Sequence, residues 1–262
     1  MNHDLRARWN DPTRGLSRPF VYTDFVVSLD GRIALEDRRT RKSAVPAEIA
    51  NARDWRLFEE LGAQADVLLT TDRYLRDLTM GDAQASLPVN EAAYQDLRDW
   101  RQAQGLTAQP ALAVLSETLS LPVPAMEYLI KRHVRVFVAT GVDVDVTRAR
   151  AIEAQGATVM MIAGRGQQVG GQALIQALGQ EGFNLIYSTA GPRVLATLLA
   201  DRVLDRLYLT QVHRILGSDS YDTLVKGQRL CPPADFLLCA LYYDEPSEES
   251  PGQIFACYAA VR

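Results

Sequence analysis

Histidine and cysteine are scarce in this sequence. Its 262 residues hold three histidines, His3, His133 and His213, and three cysteines, Cys231, Cys239 and Cys257. The histidines are too scattered for a histidine-based zinc site, and the cysteines lack metal-ligand spacing. No His-x-Glu with Pro-Cys-x-x-Cys appears, which removes a zinc nucleobase deaminase. No Gly-x-Ser-x-Gly turn offers a serine nucleophile. No apolar run is long enough to cross a bilayer, and no signal-peptide core opens the chain. The odd, apolar-flanked cysteines fit reduced thiols, so the expected setting is cytoplasmic, with no membrane partner. Cationic excess is missing too: 28 Lys and Arg face 32 Asp and Glu. Nucleic acid is therefore not the expected partner. The basic run 38–42 and the acidic run 244–249 read as solvated loops.

What is present is an alternation of short apolar runs and helical patterns. Residues 20–28, 67–71, 111–115, 134–140, 158–163, 185–187 and 204–213 read as strands. Helical periodicity marks a helix starting at Pro46 with Ile49, Trp55, Phe58 and Leu61 on one face, and further helices over 91–104, 146–154, 172–178 and from Pro192. Such alternation predicts a doubly wound, mainly parallel sheet. Two runs at the end, 236–243 and 254–261, flank a Pro/Ser/Glu loop and predict an antiparallel hairpin. Residues 30–45 and 82–90 read as surface loops. The expected organisation is a polar arm over 1–18 and one α/β domain over 19–262.

Leu185-Ile-Tyr-Ser-Thr-Ala-Gly-Pro-Arg joins a strand to a helix through small residues, and proline suits a first helical turn. The free amides there can bind a phosphate. The second strand of this unit ends at Ile215-Leu-Gly217. Together with Phe25-Val-Val-Ser-Leu-Asp-Gly-Arg-Ile-Ala34, this unit resembles the C-terminal reductase domain of the bacterial bifunctional riboflavin-biosynthesis deaminase-reductases, within the dihydrofolate-reductase-like superfamily. The resemblance runs from about Phe20 to Gly217. It implies a dihydrofolate-reductase-like fold, a small heterocyclic substrate and a homodimer. It also implies hydride transfer from NADPH, with NADH as the alternative, to a ribosylaminopyrimidine or related ring. The chain would be a stand-alone reductase-like protein.

Candidate residues follow from the resemblance and from the residues themselves. Asp30 and Gly31 lie in the loop expected along the nicotinamide and the substrate, and Asp30 is a candidate for catalysis, as is Thr189. The family's Glu-Gly-Gly-Pro turn reads Thr189-Ala190-Gly191-Pro192 here, so a hydroxyl stands where the family has a carboxylate. Ala190, Gly191, Pro192 and Arg193 are the expected pyrophosphate contacts. Thr71 and Arg73 occupy a turn that in the family reads Gly-Ala-Gly-Thr; the other reading is a plain helix start capped by Thr71 or Asp72. Ser116 and Glu117 fall where the family often holds basic residues for the 2′-phosphate. Glu117 would repel that phosphate and accept a ribose hydroxyl instead. Asp24 and Asp77 are further candidates for the proton. Residues 164–171 are glycine-rich but lack Gly-x-Gly-x-x-Gly spacing and read as a crossover loop, from which Arg165 could reach a phosphate. Two other readings remain open: a nucleotide-like ligand-binding module without turnover, and a dihydrofolate-type reductase.

Overall fold

A computed structural model describes residues 17–37, 39–83, 92–165, 168–248 and 250–261. The proposed N-terminal arm and most of the 82–90 loop lie outside these residues. Strand β1 (Phe20–Ser28) is followed by β2 (Ala34–Glu36), β3 (Ser43–Ala44) and helix α1 (Ala52–Gln64). Then come β4 (Val67–Thr71), α2 (Asp72–Met80), α3 (Gln95–Ala103), β5 (Ala111–Leu115), α4 (Val123–Lys131), β6 (Val136–Gly141), α5 (Val146–Ala154) and β7 (Thr158–Ile162). The chain goes on through β8 (Gly164–Arg165), β9 (Gln168–Val169), α6 (Gly171–Gln180), β10 (Leu185–Ser188), α7 (Pro192–Ala200) and β11 (Arg206–Val212). It closes with β12 (Tyr221–Asp222), β13 (Phe236–Asp244) and β14 (Gln253–Ala260).

The chain forms two compact units, one of residues 59–189 with the lead up to Phe20, the other of 21–58 and 190–262. In the first, β10, β4, β5, β6 and β7 pair in that order, all parallel. Their apolar runs are buried on both faces, as helix-covered parallel strands require; Val67, Leu69, Ala113, Val138, Leu185 and Ile186 are wholly buried. Asp66 fixes where β10 begins, because its Oδ2 accepts the Asn184 and Leu185 amides at 2.8 and 2.9 Å. Helix α5 starts at Asp145, whose carboxylate accepts the Thr147 and Arg148 amides, the expected work of an N-cap side chain.

In the second unit β1 and β11 run parallel, and β11, β14 and β13 are antiparallel. Asp205 sets the start of β1 by accepting the Val21 amide at 2.8 Å. The mainly parallel α/β sheet with an antiparallel C-terminal hairpin is thus as expected, to within a residue or two. Four details differ. Residues 46–50 form an isolated turn, and α1 begins at Ala52, where Asn51 Oδ1 caps the Arg53 and Asp54 amides at 3.1 and 3.0 Å. The 30–45 loop contains β2 and β3, which join β12 in a small antiparallel sheet. Helix α4 was not expected from the sequence. In the glycine-rich crossover, β8 and β9 pair antiparallel.

Candidate functional site

The loop after β1 is held by Asp30. Its Oδ1 accepts the Ser28 hydroxyl at 2.5 Å. Its Oδ2 accepts the Gly217 amide at 2.8 Å and the Leu216 amide at 3.2 Å, and lies 2.8 Å from Arg32 Nη1. These partners, the Ser28 hydroxyl first and the Gly217 amide next, hold the Asp30 pKa down to about 2. Arg32 in turn lies over the Tyr221 ring and donates to Ser218 O. Gly31 turns the loop at φ +80°, a conformation that favours glycine. Asp30 therefore ties the end of β1 to the segment after β11. An ionised, saturated carboxylate has no proton to give at neutral pH, so it serves here as a positioning group rather than an acid.

The clamp has a pH signature. A carboxylate held below its ordinary value stabilises the fold fully above about pH 4 and loses that effect as pH falls towards 2. Asp30→Asn is expected to raise amide exchange at Leu216 and Gly217 at neutral pH by roughly tenfold, with the core unaffected. Unchanged exchange at Gly217 would rule the clamp out.

In the same unit, α7 starts at Gly191 with no side chain capping it, and Pro192 occupies the first turn. A Cβ built on Gly191 would meet nothing within 4 Å, so its backbone is open to close approach. Ala190 is buried beneath, while Gly191 and Arg193 are exposed. A bare helix start with a neighbouring cation is a fit for a pyrophosphate.

The first unit carries the other candidates. Thr189 donates its amide to Leu69 O at 2.9 Å, and its hydroxyl lies 3.4 Å from the same oxygen. β4 passes directly into α2 with no loop. Thr71 sits at the N-cap position without a side-chain cap bond, the helix-start reading of this segment. Asp72 follows, paired with Arg76 at 3.0 Å, and Arg73 pairs with Asp77 at 3.4 Å. That helix start presents a carboxylate, so it is a poor place for a phosphate. Ser116 Oγ accepts the Leu119 amide at 3.1 Å and is buried, whereas Glu117 is exposed. Ser116 thus caps a turn in which Glu117 and Thr118 face solvent. The fit for a dinucleotide is good at α7, whereas at Thr71–Asp72 the neighbouring cations are paired with Asp72 and Asp77, and at Ser116–Glu117 Arg148 donates to Thr118 O at 3.0 Å. Nothing is described of the Arg165 side chain.

One cluster contains Asp24, a candidate from the sequence, with two residues that the sequence did not point to. Asn51 and Gln253 exchange amide bonds of 2.8 and 3.2 Å, which seats the first turn of α1 against β14. Arg53 pairs with Asp244, which also accepts from Gln253 Nε2 at 2.9 Å. The seating brings Asp54 over the face of β1 and β11 that holds Asp24 and Thr210. In the register, Asp24 is opposite Tyr208 and Val26 opposite Thr210, so Asp24 and Thr210 are diagonal neighbours on one face. Asp54 is 9% exposed and Thr210 fully buried. Asp24 keeps some exposure, but its Oδ1 is shut from solvent. Asp24 Oδ1 and Asp54 Oδ1 have no hydrogen-bond partner among the described residues. Burial lifts the Asp54 carboxyl to about 6, against a lowering by its hydrogen bond with the Thr210 hydroxyl. Burial, then the charge of Asp54, pushes Asp24 well up, against a lowering by the Phe25 backbone. Burial, then the Cys257 thiol, keeps the neighbouring Tyr208 phenol neutral. The sequence signal was an aspartate midway along an apolar strand; Asp54 and Thr210 carried none.

Residues 19–233 match the model of the RibD C-terminal domain. The chain belongs to that family. It is 22% identical over 212 residues, 80% of this chain and 88% of the relative, to the 2,5-diamino-6-ribosylamino-4(3H)-pyrimidinone 5′-phosphate reductase of Archaeoglobus fulgidus. The fold is also that of a pyrimidine reductase-like protein from Corynebacterium diphtheriae, with TM-score 0.69 and 18% identity over 93% of this chain and 92% of that one. A diaminohydroxyphosphoribosylaminopyrimidine deaminase/5-amino-6-(5-phosphoribosylamino)uracil reductase from Thermotoga maritima matches at TM-score 0.61 and 15% identity, over 93% of this chain and 57% of its own. The dihydrofolate reductase of Enterococcus faecalis, in complex with NADP(H), matches at TM-score 0.50 and 13% identity over 93% of this chain and 97% of its own. The fold class is therefore dihydrofolate-reductase-like.

Proposed function

We propose that this protein is a nicotinamide-dependent reductase of a ribosylaminopyrimidine, using NADPH or NADH. The observation that carries the reading is the open, uncapped start of α7 at Gly191, a backbone anion site in a member of a reductase family. The dinucleotide would supply the hydride. The chain's own residues would hold the pyrophosphate at Gly191 and Arg193 and fix the loop after β1 through Asp30. Catalysis would then rest mainly on alignment of donor and acceptor carbons. The free thiols of Cys231, Cys239 and Cys257 support a reducing, cytoplasmic setting.

The test is a titration with NADPH and NADH separately, with oxidation of each followed in the presence of the pyrimidine. Gly191→Val is expected to weaken dinucleotide binding at least about tenfold, because the new side chain fills the space a phosphate needs. An unchanged dissociation constant in a folded variant moves the site elsewhere. A second reading, a ligand-binding module without turnover, is favoured by the acidic start of α2 and by Thr189 standing in for a carboxylate. Dinucleotide binding without oxidation would decide for it.

We also propose a homodimer through β13. Within its unit this strand pairs with β14 alone, and its run 236–243 carries no charge. Leu237, Leu238, Leu241 and Tyr243 are all more than half exposed. Such an uncharged edge invites pairing, and two copies of one strand can pair antiparallel about a two-fold axis. Leu241→Lys is expected to leave a folded monomer in sedimentation velocity at micromolar concentration. A wild-type monomer under the same conditions would refute the dimer.

A further inference from the structure

The first turn of α1 meets the sheet beneath it through two contacts of opposite character. One holds it down. Asn51 and Gln253 exchange amide bonds of 2.8 and 3.2 Å, Gln253 also donates to Asp244 at 2.9 Å, and Asp244 pairs with Arg53. Gln253 is 1% exposed, so this seat closes the helix start against β14. Asn51 and Gln253 are amides, and their mutual bonds do not titrate.

The other contact changes sign with protonation. Asp54 stands three residues after Asn51 and lies over Asp24, and the charge of each disfavours the charge of the other. The Thr210 hydroxyl bonds to Asp54, which offsets burial only in part. Alternate residues of a strand share a face, so the register gives the groups around the pair. From β1 comes Asp24, from β11 Tyr208, from β14 Cys257, and from β13 Tyr242 and Asp244. Arg206, the cation of this set, lies one row beyond Tyr208 and is hydrogen-bonded to it. We propose that the first turn of α1 is a pH-operated latch. It stays seated on β14 while the Asp24–Asp54 pair keeps a proton, and lifts when both carboxyls are ionised, opening the sheet face beneath to solvent. The latch is a property of the fold and does not depend on the reductase reading.

In the lifted turn Asp54 meets water and returns to its ordinary value of 3.8, against about 6 when seated. Seating is therefore undisturbed below about pH 4, weakens as pH rises towards 6, and then levels off for this group. With these two values the ratio of seated to lifted turn falls roughly tenfold between pH 5 and pH 8. Asp24, raised as well, adds to the fall.

Amide hydrogen exchange of the full chain, divided by the intrinsic rate at each pH, tests the latch. Arg53 and Asp54 donate their amides to Asn51 Oδ1 at 3.1 and 3.0 Å, and Trp55 donates its amide to Asn51 O at 3.0 Å. Protection of these three amides is expected to fall at least about tenfold from pH 5 to pH 8. The fall should depend little on low urea, because a lifted turn exposes little surface, whereas the ladder amides of β11 and β14 should need a larger, urea-sensitive opening. Asp54→Asn should flatten the pH dependence, and Asp24→Asn should reduce it. Asn51→Ser keeps a capping hydroxyl but loses the exchange with Gln253, so its protection should be lower at both pH values. A flat wild-type profile overturns the proposal. So does the same fall in Asp54→Asn, wild-type protection in Asn51→Ser, or exchange of the three amides with the urea sensitivity of the ladder amides, which would mean unfolding of the whole unit rather than release of one turn.

Discussion

Arg101→Ala is expected to destabilise the first unit by about 4 kcal/mol in urea unfolding, among the largest effects of any single substitution in this chain. Arg101 is 1% exposed. Its Nε donates to Thr107 O at 2.8 Å, and its Nη1 donates to Ala63 O at 2.7 Å and Ala65 O at 3.0 Å. Those carbonyls lie at the end of α1, just before β4, and in the turn after α3. One planar fork thus joins the entry to the sheet with the helix that leads to β5. Truncation would leave buried carbonyls without donors and open a cavity where the longest buried side chain had been. Arg101→Met would fill the volume without restoring a donor, and should recover only part of the loss. Arg101→Lys keeps the charge but not the fork, so it should also fall short of wild type. A loss below about 1 kcal/mol for Arg101→Ala would show that water replaces the guanidinium there, against this account.

The strands were legible because each is a short apolar run bounded by turn residues, and the local pattern is enough for that. The departures have local causes as well. Pro46 reads as a helix start, but the side chain that caps α1 is Asn51, five residues on. Helix α4 escaped notice because it opens in Pro122-Val123-Pro124, which reads as a breaker, although proline is tolerated in a first turn. Strands β2 and β3 are too short to show a period, and the pairing of β2 with β12 joins residues nearly 190 apart in sequence. The same limit applies to the site. Loop positions at the ends of β1, β4, β5 and β10 follow from strand order and could be named. What each side chain is engaged with could not: Asp30 reads as a candidate carboxylate, and its partners are two amides, a hydroxyl and a guanidinium. The Asp24–Asp54–Thr210 cluster depends on the β1–β11 register and on how α1 is seated. Neither is written in any one segment.

Asp54→Asn is expected to stabilise the protein at pH 8 by about 2 kcal/mol, an unusual direction for a substitution at a buried polar position. The argument is one of linkage. The Asp54 carboxyl has its pKa raised from 3.8 to about 6 in the folded chain. Below about pH 4 it is protonated in both folded and unfolded states, and the native state carries no penalty. As pH rises through 6 the unfolded chain releases that proton more readily, so stability falls and then levels off. The difference between the two values corresponds to about 3 kcal/mol. Asparagine never ionises and escapes that loss. Part of the gain is offset, because Asp54 lies in the first turn of α1, where a negative charge stabilises the helix by up to about 1 kcal/mol. The amide could also donate to Asp24 Oδ1. Asp24, also raised by burial and then by the Asp54 charge, adds to the decline; without that charge its part should shrink as well. Urea denaturation at pH 4, 6 and 8 should therefore show wild-type stability falling with pH and a flatter profile for Asp54→Asn, the two lines meeting near pH 4. A variant less stable than wild type at pH 8 would mean that the Asp54 carboxylate has a donor in solution.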